Sequence, residues 1–131
     1  MNAKSIKLLV VDDSLIMRRA ILKYLEDYNF NVVGTATNGH SALELFAEHK
    51  PDIVTLDLTM PGLNGLTVLE QMLEIYKHSK IIIITALKDK MTGLEALQLG
   101  ARGYVTKPFN EEKLKETFKV IIEELMQERS V

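Results

Sequence analysis

Four short apolar runs in this 131-residue chain each lead into a polar side chain that suits phosphate chemistry. The polar residues at the ends of these runs are Asp12 and Asp13, Asp57, Thr85 and Lys107. If the runs are parallel strands, their carboxyl ends meet at one edge of a sheet, where such sheets bind ligands. The cluster could then hold Mg²⁺, which prefers hard oxygen ligands and shares its remaining positions with phosphate.

The three carboxylates divide by position into a metal-binding pair and a nucleophile. Crowded carboxylates repel one another unless a cation neutralises them, so we expect Asp12 and Asp13 to bind the metal. Asp57 stands alone at a strand end before a loop rich in turn formers, and a carboxylate there can form an aspartyl phosphate. Lys107 would supply a point charge and Thr85 a hydroxyl for the phosphoryl oxygens.

The elements that must position these residues alternate between strand and helix five times. The predicted strands are 6–11, 32–36, 53–56, 80–85 and 103–106. The predicted helices are 15–28, one ending near residue 49, 66–76, 90–99 and one that follows Asn110. Regular alternation predicts right-handed crossovers and a parallel sheet covered by helices on both faces. The helix over 90–99 is the weakest, because Gly93 inside it costs about 1 kcal/mol relative to alanine.

Composition excludes several classes of function. The formal net charge is −2 and no basic block suggests nucleic acid or an anionic membrane. Cysteine is absent, which fits a reducing cytoplasm and excludes thiolate chemistry. No apolar run approaches the roughly 20 residues that span a bilayer. We therefore expect a cytoplasmic protein with one domain over residues 1–131.

Four motifs give the chain a resemblance to a known family. It is similar to the response-regulator receiver domain of two-component signalling, most of all to the single-domain chemotaxis type, over about residues 5–127. The resemblance implies a flavodoxin-like, doubly wound sheet of five parallel strands in the order 2-1-3-4-5, with five helices. The motifs are Val10-Val11-Asp12-Asp13-Ser14, Asp57 to Gly65, Thr85-Ala86, and Tyr104-Val105-Thr106-Lys107-Pro108-Phe109.

The resemblance also implies a role for each matching residue of the site. Asp57 is similar to the phosphoacceptor that takes a phosphoryl group from a sensor histidine kinase. Asp12, Asp13, Asp57 and the backbone carbonyl of Thr59 match the ligands of Mg²⁺, for which Mn²⁺ could substitute. Lys107 matches the phosphate-contacting lysine, and its bond to the next residue, Pro108, is expected to be cis.

A second group of residues matches the regulatory parts of the family. Thr85 and Tyr104 match the switch pair, which repacks the face made by the fourth helix, fifth strand and fifth helix. Thr59 and Leu87 match positions that tune the loss of the phosphoryl group, and Leu87 is expected to lengthen the phosphorylated lifetime. Pro61 and Gly65 match structural positions of the loop after the third strand.

The implied partners are a sensor histidine kinase and a downstream protein target or a missing effector domain. We expect no direct binding to nucleic acid or membrane, and a monomer or a phosphorylation-linked dimer. Arg102 stands where the transcription-factor branch often has an acidic residue, which argues against the dimer of that branch. The charged last turns of the final helix are expected to be a solvated face.

Other functions remain open from the residues alone. The expected protein is no enzyme beyond its own phosphoryl transfer and slow autodephosphorylation. A Mg²⁺-dependent phosphohydrolase would use the same intermediate but usually needs a second acid two residues after Asp57, where this chain has Thr59. A flavin-binding module would need a phosphate loop in place of the two aspartates. A receiver-like scaffold that accepts no phosphate would be expected to have lost the acidic set.

Overall fold

The computed structural model describes residues 3–130, which build one parallel sheet with helices on both faces. The strands are β1 (Lys7–Val11), β2 (Asn31–Ala36), β3 (Ile53–Leu56), β4 (Lys80–Thr85) and β5 (Gly103–Thr106). The helices are α1 (Leu15–Tyr24), α2 (Gly39–His49), α3 (Gly65–Ile75), α4 (Lys90–Gln98) and α5 (Glu111–Arg129). The strand order is β2-β1-β3-β4-β5 and every pair is parallel, so the predicted doubly wound topology is confirmed.

The strand register brings the polar strand ends to one edge. Val11 pairs with Leu56 across β1 and β3. The ladder then continues beyond the strands, because Asp57 N–H donates to the Val11 carbonyl at 3.1 Å. In the same way Lys107 N–H donates to the Thr85 carbonyl at 2.8 Å. The residues that follow the strands are therefore held by the sheet itself.

The sheet separates two hydrophobic cores, because successive side chains of a strand point to opposite faces. On one face, Leu9 and Val11 of β1 lie in the same core as Phe46 of α2 and Val68 of α3. Leu8 and Val10 pack on the other face with α1 and α5. The stripe predicted for α5 is confirmed, since all its members are buried: Leu114, Phe118, Ile121, Ile122 and Leu125. Both faces of β1, β3 and β4 are covered, which explains their continuous apolar runs.

The structure corrects the predicted end of α1. α1 ends at Tyr24 rather than near Tyr28, and a 3₁₀ turn, Glu26–Tyr28, follows it. Asn29 then adopts a left-handed conformation with φ of 58°, which lets the chain reverse into β2. α4 spans nine residues and buries only Ala96, in keeping with the weakness predicted for this helix.

The charged residues of the last two turns of α5 are largely exposed, as the sequence suggested, but they are not all free. Three of them form ion pairs with residues at the amino ends of strands, at N–O distances of 2.6 to 2.9 Å. The pairs are Glu124–Arg102, Glu128–Lys80 and Arg129–Asp52. Partners separated by 22 to 77 positions in the chain meet here, so no local charge pattern indicated them.

Candidate functional site

The acidic cluster lies at the carboxyl edge of the sheet, where β1 and β3 end side by side. One carboxylate oxygen from each of Asp12, Asp13 and Asp57 lies within 4.8 Å of the others. Asp12 and Asp57 are 1% and 2% exposed, whereas Asp13 is exposed to solvent. Three hard oxygens at this spacing, with one side open to water, suit a cation that keeps several waters, as Mg²⁺ does.

Lys107 bridges the two buried carboxylates. Its Nζ donates to Asp12 Oδ2 at 2.8 Å and to Asp57 Oδ2 at 3.1 Å, and the lysine side chain is 17% exposed. The peptide bond between Lys107 and Pro108 is cis, as the resemblance implied. Burial lowers the pKa of Lys107, but the hydrogen bonds and charges of Asp12 and Asp57 outweigh burial and raise it above the ordinary value.

The second oxygen of Asp57 is held by Thr59. Asp57 Oδ1 accepts hydrogen bonds from the backbone N–H of Thr59 at 2.9 Å and from its hydroxyl at 2.7 Å. Burial raises the pKa of Asp57, but the bonds from Thr59 and the ammonium of Lys107 together bring it below its usual value. Asp57 is therefore an ionised carboxylate at neutral pH, as a nucleophile must be.

Asp12 is fixed by a turn that also begins α1. Asp12 Oδ1 accepts from Ser14 N–H at 2.9 Å, and the Ser14 hydroxyl caps α1 by accepting from Met17 N–H at 3.2 Å. Arg18 reaches back from α1 and donates to the Asp12 carbonyl at 2.8 Å. The sequence analysis did not identify Arg18. Its position in the helix that follows Asp12 and Asp13 was a signal that could have indicated a contact with them.

Thr85 and Tyr104 both bond the backbone of one residue in the β4–α4 loop, Leu87. The fully buried Thr85 accepts at Oγ1 from Leu87 N–H at 3.3 Å. The Tyr104 hydroxyl donates to the Leu87 carbonyl at 3.1 Å. Burial, reinforced by the charge of Asp89, raises the pKa of Tyr104. The Tyr104 hydroxyl is therefore bonded to the β4–α4 loop and not to a carboxylate of the cluster.

An open apolar groove lies next to the Tyr104 ring, between α4 and β5. Its volume is about 410 Å³ and its lining includes Gly93, Leu94, Leu97 and Tyr104. Beside it on α4, Met91 is 75% exposed, although it is a large apolar residue. Leu87, at the start of the loop that leads into α4, is 36% exposed.

The loop between β3 and α3 packs tightly where it leaves the site. A Cβ atom on Gly65 would lie 2.5 Å from the Leu58 Cα, so a side chain there would force the backbone to move. Asn64 caps α3 by accepting from Leu66 N–H at 2.8 Å. Pro61 is exposed on the outer side of the loop.

The fold and the site together define a flavodoxin-like α/β domain with an acidic, cation-binding edge. The family model of the response regulator receiver domain matches residues 8–119. The chain belongs to this family and is similar to its chemotaxis members.

Relatives and solved structures agree with this assignment. The chain is 37% identical over 110 residues to the chemotaxis protein CheY of Bacillus subtilis, covering 84% of this chain and 92% of that protein. It is 36% identical to CheY of Thermotoga maritima, with the same coverage. A solved complex of CheX, CheY, BeF₃ and Mg²⁺ from Borrelia burgdorferi contains a chain that matches with a TM-score of 0.85 and 30% identity, covering 89% of each chain.

Membership of the family establishes the general function. The chain is a CheY-like receiver of two-component signalling, a domain that is switched by phosphorylation of an aspartate. The alternatives of a phosphohydrolase and of a non-phosphorylated scaffold are not favoured. Between residues 3 and 130, none of the helices has the length and apolar character needed to span a bilayer.

Proposed function

We propose that Asp57 is the phosphoacceptor of this receiver domain and that a sensor histidine kinase is its donor. One observation carries this proposal. Asp57 is the buried carboxylate that is held on both oxygens, by Thr59 and by Lys107, beside two further aspartates. A nucleophile held in this way needs little reorganisation when the donor arrives.

The proposed transfer is an in-line displacement at phosphorus. One carboxylate oxygen of Asp57 attacks the phosphorus, the new O–P bond forms, and the N–P bond of the phosphohistidine breaks. The imidazole nitrogen keeps the electron pair of the broken bond and leaves. Lys107 and Thr85 would then contact the phosphoryl oxygens, since stabilisation of their charge is the main contribution a protein makes to this chemistry.

Asp12, Asp13, Asp57 and the carbonyl of Thr59 are the residues that would hold Mg²⁺, or Mn²⁺ in its place. The three carboxylates fit the ion because two are buried and only Lys107 forms ion pairs with them in the described part of the chain. The bound ion would offset the negative charge that gathers on the transferring phosphoryl group.

Thr85 and Tyr104 would transmit the effect of phosphorylation from the site to the surface. Movement of the Thr85 hydroxyl toward a phosphoryl oxygen would break its bond to Leu87 N–H, and the carbonyl of the same residue accepts from Tyr104. The face formed by α4, β5 and α5 would change as a result. The exposed apolar side chains of α4 make this face suitable for a downstream protein target.

We also propose a domain extent, an oligomeric state and a location for the chain. We take residues 1–131 as one receiver domain, which would act on a separate target or belong to a longer regulator with an effector domain. It would act in the cytoplasm, as a monomer or a phosphorylation-linked dimer. It would bind neither nucleic acid nor membrane, and would catalyse only its own phosphorylation and slow dephosphorylation.

Phosphorylation by acetyl phosphate with MgCl₂ tests the site assignment. Intact-mass spectrometry should show one added phosphoryl group on the wild-type chain and none on Asp57→Asn. Asp52→Asn is a matched control, because Asp52 is also a buried aspartate next to β3 but lies at its amino end. This control should be labelled like the wild type.

The same experiment can contradict the proposal. A phosphate adduct that persists in Asp57→Asn would show that another residue accepts the group. Labelling that is unchanged when EDTA replaces MgCl₂ would contradict the role of the metal.

The rate-tuning role of Leu87 has its own test. Leu87 is an apolar residue beside the site, and we propose that it hinders the water that would attack the acyl phosphate. Leu87→Glu should shorten the phosphorylated half-life several-fold, measured as loss of the mass adduct after acetyl phosphate is removed. Leu94→Glu, an exposed leucine on α4, should leave the half-life unchanged. Equal half-lives for Leu87→Glu and the wild type would refute the role.

A further inference from the structure

The side chain of Arg18 connects α1 to the carboxyl end of β1. Its Nη1 donates to the Asp12 carbonyl at 2.8 Å, in a partly buried position. The strand ladder ends just before this carbonyl, because the N–H of Asp57 goes to the carbonyl of Val11. Within residues 3–130, Arg18 supplies the one hydrogen bond found on the Asp12 carbonyl.

Asp12 is restrained at every other polar atom by a different element. Its N–H donates to the Ala36 carbonyl at 3.0 Å, Oδ1 accepts from Ser14 N–H at 2.9 Å, and Oδ2 accepts from Lys107 at 2.8 Å. The bond from Arg18 completes this set. It is the one that restrains the plane of the peptide between Asp12 and Asp13, because the carbonyl oxygen lies in that plane.

Asp13 depends on this peptide plane more than Asp12 does. Its carboxylate is exposed and has no hydrogen bond or ion pair within residues 3–130. Rotation of the Asp12–Asp13 peptide would therefore move the Asp13 side chain without breaking any contact of its own. The orientation of Asp13 toward Asp57 rests on the backbone that precedes it.

We propose that Arg18 is a positioning residue of the metal site, which holds the Asp12–Asp13 peptide so that both carboxylates face Asp57. The inference rests on the proposed Mg²⁺ site. Arginine suits the task because its planar guanidinium is always charged and its donors have a fixed geometry. Mutation of a residue that orients a metal ligand without contacting the metal commonly lowers metal affinity by about tenfold or more.

The direction in which Mg²⁺ affinity changes when Arg18 is replaced distinguishes a positioning role from a simple effect of its charge. A cationic side chain near a cation site opposes metal binding, so the loss of its charge alone would tighten Mg²⁺ binding. The loss of positioning would weaken it. Arg19 provides a matched control, because it is the next residue of α1, carries the same charge, is exposed, and makes no hydrogen bond or ion pair with residues 3–130.

Calorimetric titration with MgCl₂ tests the inference on the full chain. Arg18→Met should bind Mg²⁺ about tenfold more weakly than the wild type. Arg19→Met should stay within about twofold of it, and Arg18→Lys should lie between, since a lysine can still donate to the carbonyl. Methionine is chosen because its helix propensity is close to that of arginine. Binding by Arg18→Met that equals or exceeds the wild-type affinity would overturn the inference.

Hydrogen exchange in metal-free buffer supplies a readout that does not depend on the ion. The Ser14 amide, which donates to Asp12 Oδ1, should exchange several-fold faster in Arg18→Met and at the wild-type rate in Arg19→Met. Unchanged exchange of Ser14 in Arg18→Met would count against positioning. If the wild type binds no Mg²⁺ while Ser14 responds as expected, the proposed metal site fails and the positioning of Asp12 stands.

Discussion

The two ends of the sheet both collect charged side chains, but they balance them in different ways. At the carboxyl end, Asp12 and Asp57 share the ammonium of Lys107, and Asp13 has no ion pair within residues 3–130. At the amino end, three charged residues near β3, β4 and β5 each have their own partner on α5. The amino-end pairs are Asp52–Arg129, Lys80–Glu128 and Arg102–Glu124. The pairs at the amino end are matched one to one, whereas the carboxyl end holds three carboxylates and one ammonium.

The difference between the two ends indicates which of them can bind a cation. Like charges that are held close together cost stability, and a cation that neutralises them recovers that cost. Charges that are already paired one to one gain nothing from an added ion. The excess of carboxylates therefore marks the functional end, whereas the paired charges at the other end anchor α5 to the sheet.

The largest expected effect comes from removing the cation at each end. Lys107→Met leaves two buried carboxylates without a counter-ion, and we expect it to lower the metal-free free energy of unfolding by about 3 kcal/mol. Lys80→Met leaves Glu128, whose side chain is 49% exposed and can be solvated, so the loss should be below about 1 kcal/mol. Urea unfolding in EDTA measures both. Equal losses would contradict the contrast between the two ends.

Added Mg²⁺ should stabilise the protein through the carboxyl end alone. A ligand that binds only the folded state at 100 times its dissociation constant adds about 2.7 kcal/mol to the free energy of unfolding. Thermal or urea unfolding with and without MgCl₂ should show this gain in the wild type and in Lys80→Met. Asp13→Asn should lose most of it. A gain that persists unchanged in Asp13→Asn would place the ion elsewhere.

Neutralising an aspartate should have opposite signs at the two ends. Asp13→Asn relieves repulsion in the cluster, so we expect metal-free stability to rise by a few tenths to about 1 kcal/mol. Asp52→Asn removes the ion pair with Arg129, so stability should fall by about 1 kcal/mol, while the bond from Lys7 N–H can be kept by the amide oxygen. Urea unfolding of both variants in EDTA checks the signs. A loss of stability in Asp13→Asn would show that the cluster is not repulsive.

The smallest effect concerns pH at the amino end. The hydrogen bond from Lys80 lowers the pKa of Glu128 below 4.5. A lowered pKa in the folded state means that this stability is fully present above about pH 4.5 and is lost as the pH falls through the folded pKa. The difference in unfolding free energy between the wild type and Glu128→Gln should therefore shrink on acidification. A constant difference from pH 6 to pH 3 would contradict the pairing.

The order of the elements was predictable because it rests on local patterns. Apolar runs, proline and glycine breaks, and the stripe on α5 each involve residues within a few positions of one another. They were enough to place the carboxylates of Asp12 and Asp57 at one edge, since parallel strands bring their carboxyl ends together. The end of α1 was misplaced because the spacing of Leu25 and Tyr28 also fits a 3₁₀ turn.

Contacts between distant parts of the chain required the folded structure. Lys107 bridges partners that lie 95 and 50 positions before it, and Lys80 meets Glu128 across 48 positions. Whether such groups touch depends on strand register and on how a helix crosses the sheet, which local periodicity does not encode. The residues that suit phosphoryl chemistry could thus be named from their types and order. Which oxygen each one holds, and the support of Asp12 by Arg18, came from packing between elements.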